Sequence, residues 1–218
     1  MKISEERSGR NMNILKEIRH WKSIRRFSGQ KIEKEKILCI LEAGRLAPSW
    51  QNLQPWHFLI IEEEWGKKEI SKIVVTKKIV EKAPVLIVVF ADKTGFDVQK
   101  AKRMIKEQVA EKMTEEQIAL YLDNKIASPG LHSDAVLHSR LLEQIAYSCA
   151  FMILEVRHQG LGVCILGGIE NFLTEKTENY EIVKKSLNIP DNLEPLTILC
   201  IGYEGEEVKN VAGKVWAK

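Results

Sequence analysis

The chain has 218 residues, 44% of them hydrophobic and 29% charged, with 33 Lys and Arg against 30 Asp and Glu for a net charge of +3. This size allows one domain with a buried core or two small ones, and in the absence of a repeat or linker a single domain spanning 1–218 is expected; the balance disfavours a disordered chain and nucleic acid as a partner. No apolar run reaches the roughly 20 residues of a membrane span, and residues 1–7 are too polar for a signal peptide, so no membrane association and a cytoplasmic location are expected.

Residues 13–22 read as a short helix with Ile14, Leu15, Ile18 and Trp21 on one face, and the basic run from Lys22 to Arg26 follows directly. After Gly29, residues 33–47 carry Ile37, Ile40, Leu41 and Gly44 at helical spacing, and Pro48 stops that helix. Residues 49–54 are then a loop held at both ends. The apolar run 57–61 reads as a strand, 66–82 as one helix ending before Ala83-Pro84, and 85–90 as a strand buried on both faces.

From 97 to 124 the chain is polar and helical, with Thr114-Glu115-Glu116-Gln117 as a capping box. Ser128-Pro129-Gly130 breaks it. The longest helical pattern runs from 134 to 159, where Leu142, Ile145, Ala146, Cys149, Met152, Ile153 and Val156 recur at steps of three and four. Gly160-Leu161-Gly162 ends it, 163–166 reads as a strand, Gly167-Gly168 as a turn, 180–187 as a helix and 196–203 as the last strand. The order predicts an α+β fold: a mixed central sheet surrounded by helices, with a mobile helical excursion at about 95–133.

Cys39, Cys149, Cys164 and Cys200 lie far apart among apolar neighbours, and neither they nor the five histidines show metal-ligand spacing. Buried thiols and no metal site are expected. GxGxxG, GxxxxGK[ST] and GxSxG are all missing, which disfavours a Rossmann fold, a P-loop NTPase and the common serine hydrolases.

Two stretches carry candidate chemistry. Lys22, Ser23, Arg25 and Arg26 offer ammonium, hydroxyl and guanidinium donors suited to a phosphate, although cations at a helix C-terminus also arise as a solvated face. The loop from Pro48 to Trp56 carries Ser49, Gln51, Asn52 and Gln54, which match the donor and acceptor edge of a planar heterocycle or, equally, bond their own backbone in a turn. Gly167-Gly168 permits close approach of backbone to a ligand, but an ordinary turn uses glycines too.

The ordered set of Ser-x-Arg, Ala-Pro-Ser-x-x-Asn-x-Gln-Pro-Trp, Ala-Pro before an apolar strand, a long helix into Gly-Leu-Gly, Gly-Gly, and Ile-Pro, Leu-Glu-Pro and Gly-Tyr resembles the nitroreductase family of FMN enzymes over almost the whole chain. The resemblance implies a homodimer with the long helix at its interface and two FMN sites lined by both chains. It implies that Lys22 and Ser23 bind the FMN phosphate, with Arg25 on the pyrimidine and ribityl side. Pro48, Ser49, Trp50 and Asn52 would come from the other subunit, and Gln144 from the long helix. Ile165, Leu166, Gly167 and Gly168 would lie beside flavin N5, with the Gly167 N–H aimed at it. Lys214 would serve the phosphate from the tail.

Trp21 stands where many members have an arginine, and Trp216 where a second tail cation is common, leaving Arg26, Lys209 or Lys218 as substitutes. The segment around Thr76 and Lys77 aligns only loosely with a further flavin-contacting region. The implied activity is hydride transfer from NADH or NADPH through flavin N5 to nitroaromatics, quinones or other small flat acceptors, by a ping-pong mechanism and without a catalytic side chain. Alternatives are a specialised member, such as a reductive dehalogenase or flavin-fragmenting enzyme, and a non-catalytic flavin sensor or storage protein.

Overall fold

Residues 14–109 and 112–205 are described in the computed structural model of the chain. Strands β1 (Trp56–Ile61), β2 (Val85–Asp92), β3 (Gly162–Leu166) and β4 (Leu193–Gly202) form one sheet in the order β1-β2-β4-β3. All eight residues of β2 are buried, as an unbroken apolar run predicts for a strand covered on both faces. Because successive side chains alternate, Val85, Ile87, Val89 and Ala91 enter one core with α2 (Lys34–Arg45) and α7 (Asp134–His158). Leu86, Val88 and Phe90 enter a second core with α3 (Glu64–Ser71), α4 (Lys77–Lys82) and α8 (Glu178–Ser186). The fold is thus α+β with helices on both faces of the sheet.

The sheet differs from the expected mixed one, since all three ladders among the described residues are antiparallel. The connections explain it. β1 ends at Ile61 beside Leu86, so the α3–α4 crossover returns the chain to the end of the sheet it left. In β4 the register shifts between Thr197, opposite Val89, and Pro195, opposite Phe90, and this bulge turns Leu196 into the α2–α7 core.

α7 fills nearly the expected span and is the central helix, burying Leu141, Gln144, Ile145, Ser148, Cys149, Met152 and Val156. Ala146, expected on its buried face, is exposed instead. It belongs with Tyr147, Ala150 and Phe151 to a second apolar stripe that faces outward. Cys149, Cys164 and Cys200 are buried as expected, and burial pushes the Cys149 thiol up to about 12. Cys39 is exposed, because α2 turns Ile37, Ile40 and Gly44 inward and Cys39 falls off that stripe.

Two further expectations fail at helices. Among the described residues of the expected 13–22 helix only Lys16–Arg19 is helical, here α1, and none of its residues is buried. The expected single helix at 66–82 is two, α3 and α4, because Ile73, Val74 and Val75 between them pair with another part of the chain. That run of β-branched side chains favours extended backbone over a helix.

The excursion contains α5 (Val98–Val109), α6 (Glu115–Leu122) and a short 3-10 turn, Pro129–Leu131. The capping box is present: Gln117 N–H donates to Thr114 Oγ1 at 3.2 Å, and Thr114 N–H donates to Gln117 Oε1 at 2.8 Å. Thr114→Ala will cost about 1 kcal/mol, read as a lower urea midpoint with an unchanged m-value; an unchanged midpoint would contradict the cap's role. No helix among the described residues is long and apolar enough to cross a membrane.

Candidate functional site

β3 lies at one end of the sheet, so its outer edge is open to another segment. The basic run occupies it. Ile24 N–H donates to Val163 O at 2.9 Å, Ser28 N–H to Tyr203 O at 3.0 Å, and Gly205 N–H to Arg26 O at 3.0 Å. Ile24 is buried against Gly162, where a Cβ would stand 2.8 Å from three Ile24 carbons, so only glycine admits this approach. Its neighbours Ser23, half-buried, and Arg25, exposed, are thereby fixed along β3. Burial raises the Cys164 thiol pKa, and the Arg25 charge offsets part of that rise.

Lys22 belongs to the same segment, and its Nζ lies 2.5 Å from Glu204 Oε1. A phosphate here would share this ammonium with a carboxylate. Lys214, expected to join it, lies outside the described residues, as do Lys209 and Lys218.

β3 ends in Leu166, buried, and Gly167-Gly168. Ile165 is 40% exposed, on the opposite side of the strand from Leu166. At Gly167 nothing lies within 4 Å of the position a Cβ would take, so that side of the residue is open. Gly168 is held by a short ladder that periodicity did not reveal: Val75 N–H donates to Gly168 O at 3.1 Å, and Glu170 N–H to Ile73 O at 2.9 Å. Between these segments is a cleft of about 290 Å³ lined by residues that include Lys72, Val74, Val75, Gly168 and Thr174. The β-branched run at 73–75 was the available signal, and it adjoins Thr76 and Lys77.

The second group sits on the loop after α2. Pro48 ends the helix and Ser49 leads into the 3-10 turn Trp50–Asn52. Gln51, Asn52 and Gln54 adopt φ of 50°, 54° and 47°, the left-handed region. Ser49 Oγ accepts Gln54 N–H at 3.0 Å, and Gln54 Nε2 donates to Asn52 Oδ1 at 3.1 Å and to Arg45 O at 3.3 Å. The loop's amides therefore do bond the backbone, as the turn reading expects, while Asn52 remains exposed. Gln144, buried on α7, accepts Trp50 N–H at 2.5 Å, so in this chain it supports the loop. The Trp50 ring is also faced by Arg140 at 5.2 Å.

One chain thus carries two assembled groups. Lys22, Ser23, Arg25 and residues 165–168 follow the β3 edge, whereas Pro48, Ser49, Trp50, Asn52 and Gln144 gather where the loop meets α7.

The nitroreductase family description matches residues 18–203, which takes in both groups and every described strand. The chain belongs to the nitroreductase family. This is a family of oxidoreductases, and several relatives bear that out by name. An oxygen-insensitive NADPH nitroreductase of Helicobacter acinonychis is 28% identical over 191 residues, 86% of this chain and 81% of its own length. A candidate NADH dehydrogenase/NAD(P)H nitroreductase of Archaeoglobus fulgidus is 40% identical over 78 residues, which span 36% of this chain and 45% of that relative. Among solved structures, a candidate nitroreductase of Exiguobacterium sibiricum, determined in complex with FMN, has a TM-score of 0.68 at 24% identity, covering 90% of this chain and 91% of its own. This nitroreductase-family member therefore shares the family's fold as well as its sequence pattern.

Proposed function

We propose that this nitroreductase-family chain is an FMN-dependent NAD(P)H oxidoreductase that reduces small flat acceptors such as quinones and nitroaromatics. The observation that carries the reading is the β3 edge: a hydroxyl and cations held along one strand whose end is a glycine turn open on one side at Gly167. These residues fit FMN. Ser23 and Lys22 supply donors for a phosphate, Arg25 a guanidinium for the polar side of the ring, and Gly167-Gly168 a backbone that a flat ring can approach. FMN, when bound, supplies the redox chemistry by taking hydride from NADH or NADPH and giving it to the acceptor. The chain's part is to bind, orient and exclude water, with no catalytic side chain required.

The loop group completes the site in a homodimer, where Pro48, Ser49, Trp50 and Asn52 reach the partner's FMN. Support comes from the outward apolar stripe of α7, with Tyr147 41% and Phe151 44% exposed, together with Leu15 and Ile18 of the nearby N-terminal segment. An interface through α7 would bury these side chains, each worth about 1.5–3 kcal/mol when fully removed from water. Phe151→Asp is expected to give a monomer by sedimentation velocity, with weakened FMN retention; a variant that stays dimeric would remove α7 from the interface.

The activity is tested by initial velocities with saturating FMN, NADH or NADPH, and a quinone or nitroaromatic. Parallel double-reciprocal lines are expected, because both substrates use one place in turn. Tight FMN binding without acceptor-dependent NAD(P)H oxidation would contradict the enzymatic reading and favour a flavin sensor or store.

A further inference from the structure

The loop that bears Asn52 is strained, and besides its bonds to α2, α7 and itself it is held by contacts from the excursion. Three residues among four, Gln51, Asn52 and Gln54, lie in the left-handed region, which costs about 1–2 kcal/mol per residue for L-amino acids and least for Asn. Such a conformation persists only where its surroundings impose it. Gln51 makes the connecting bonds: its Nε2 donates to Ala127 O at 2.9 Å, and its own carbonyl accepts Gln108 Nε2 at 3.2 Å. Trp50 Nε1 donates to the same Ala127 O at 3.2 Å. Gln51 therefore ties the strained loop to α5 on one side and to the turn after α6 on the other. Beyond Ala127, Ser128 Oγ is buried without a partner among the described residues, as is Gln51 Oε1, so this junction has polar capacity left to reorganise.

We infer that Gln51 is a positioning residue that couples the 95–133 excursion to the loop presenting Asn52, so that FMN bound against the loop steadies α5 and the 123–128 turn. The inference rests on the proposed flavin site. Asn52 is the exposed member of the strained turn and the one offered to a ligand; Gln51, beside it, faces the excursion instead. A ligand that holds Asn52 in its left-handed conformation stabilises Gln51 in its own, and with it both bonds to the excursion. Coupling of this kind is reciprocal and ordinarily changes an opening equilibrium by about 5- to 150-fold.

The test compares the full-length protein with Gln51→Met, which keeps the side-chain length and apolar stem but loses the donor, with and without saturating FMN. Hydrogen exchange is read for peptides covering 98–109 and 115–128, and FMN binding is measured separately by flavin fluorescence. In the parent protein FMN is expected to slow exchange in both segments by about fivefold or more. Gln51→Met is expected to bind FMN yet show no FMN-dependent slowing in 115–128, where the side-chain bond to Ala127 is lost, while 98–109, bonded to the main-chain carbonyl of residue 51, keeps its slowing and exchange in β2 and β4 is unchanged. The KM for a quinone should rise in this variant by more than kcat falls, which a merely destabilised fold would not produce. FMN-dependent protection of 115–128 that survives in Gln51→Met, or a parent protein that binds FMN with no change in either segment, would overturn the coupling alone. Failure of the parent to bind FMN would instead overturn the site, and the coupling with it.

Discussion

Arg25→Ala will weaken FMN binding at least about tenfold and leave the fold intact. A hydrogen bond to a charged group contributes about 1.5–3 kcal/mol, and each 1.4 kcal/mol is about a factor of ten in Kd. The side chain is exposed beside β3, while Ile24 next to it carries the packing. Substitutions at such surface positions change stability by about 0.5 kcal/mol or less. Arg25→Lys should fall between the parent and Arg25→Ala, since it keeps the charge and loses the planar fork. Titration of flavin fluorescence, with urea unfolding of the same samples, reads both quantities. Unaltered FMN affinity in Arg25→Ala would take this edge out of the binding site.

The largest effect on stability is expected at Glu194, which sits at the start of β4 and is 1% exposed. Tyr180 Oη donates to its Oε1 at 2.9 Å, Lys176 Nζ lies 2.6 Å from the same oxygen, and Lys93 Nζ lies 3.7 Å from Oε2. Removing one partner of a buried ion pair costs about 3–5 kcal/mol. Lys176 and Lys93 are partly exposed and would recover water, so their share is discounted. Tyr180 is fully buried, and its hydroxyl would lose its acceptor, which alone costs about 1–3 kcal/mol. Burial together with the Glu194 bond raises the Tyr180 hydroxyl pKa, so it stays a donor. Glu194→Ala should therefore lose about 3 kcal/mol, and Glu194→Gln, which keeps an acceptor for Tyr180, about 1 kcal/mol. Urea unfolding with a constant m-value measures both. A loss under about 1 kcal/mol for Glu194→Ala would show that the carboxylate's burial cost cancels its bonds.

Glu194 also shows where a sequence motif ends and physical cause begins. Leu-Glu-Pro is visible as a pattern, but the tyrosine and lysines that need the glutamate come from 93, 176 and 180, and no local periodicity links them. Elements governed by their own residues were legible: α7 by its apolar spacing, the α6 start by Thr114 and Gln117, β2 by its continuous apolar run. Elements decided by distant pairing were not. Residues 73–75 leave the helix because their backbone meets 168–170, and β1 and β2 run antiparallel because of where the α3–α4 crossover returns.

The same division holds at the candidate site. The residue types along Lys22–Arg26 and Pro48–Trp56 could be read directly, and their family order made the reading specific. What they touch could not be read. Glu204, 182 residues from Lys22, occupies its ammonium. Gln144 is turned to the Trp50 peptide, and Gln51 to an excursion carbonyl 76 positions away. Ala146 looks like core in the periodicity of α7 because an outward apolar stripe carries the same signal as one covered by its own chain.

The central claim, that this nitroreductase-family chain holds a working FMN, is tested most directly by flavin absorbance. Purified protein is titrated with FMN, freed of excess, and mixed anaerobically with NADH or NADPH. Saturable binding with a shifted flavin spectrum, followed by bleaching on addition of one or both nicotinamides, is the predicted result. A spectrum identical to free FMN at every protein concentration, with all flavin removed by desalting, would contradict it.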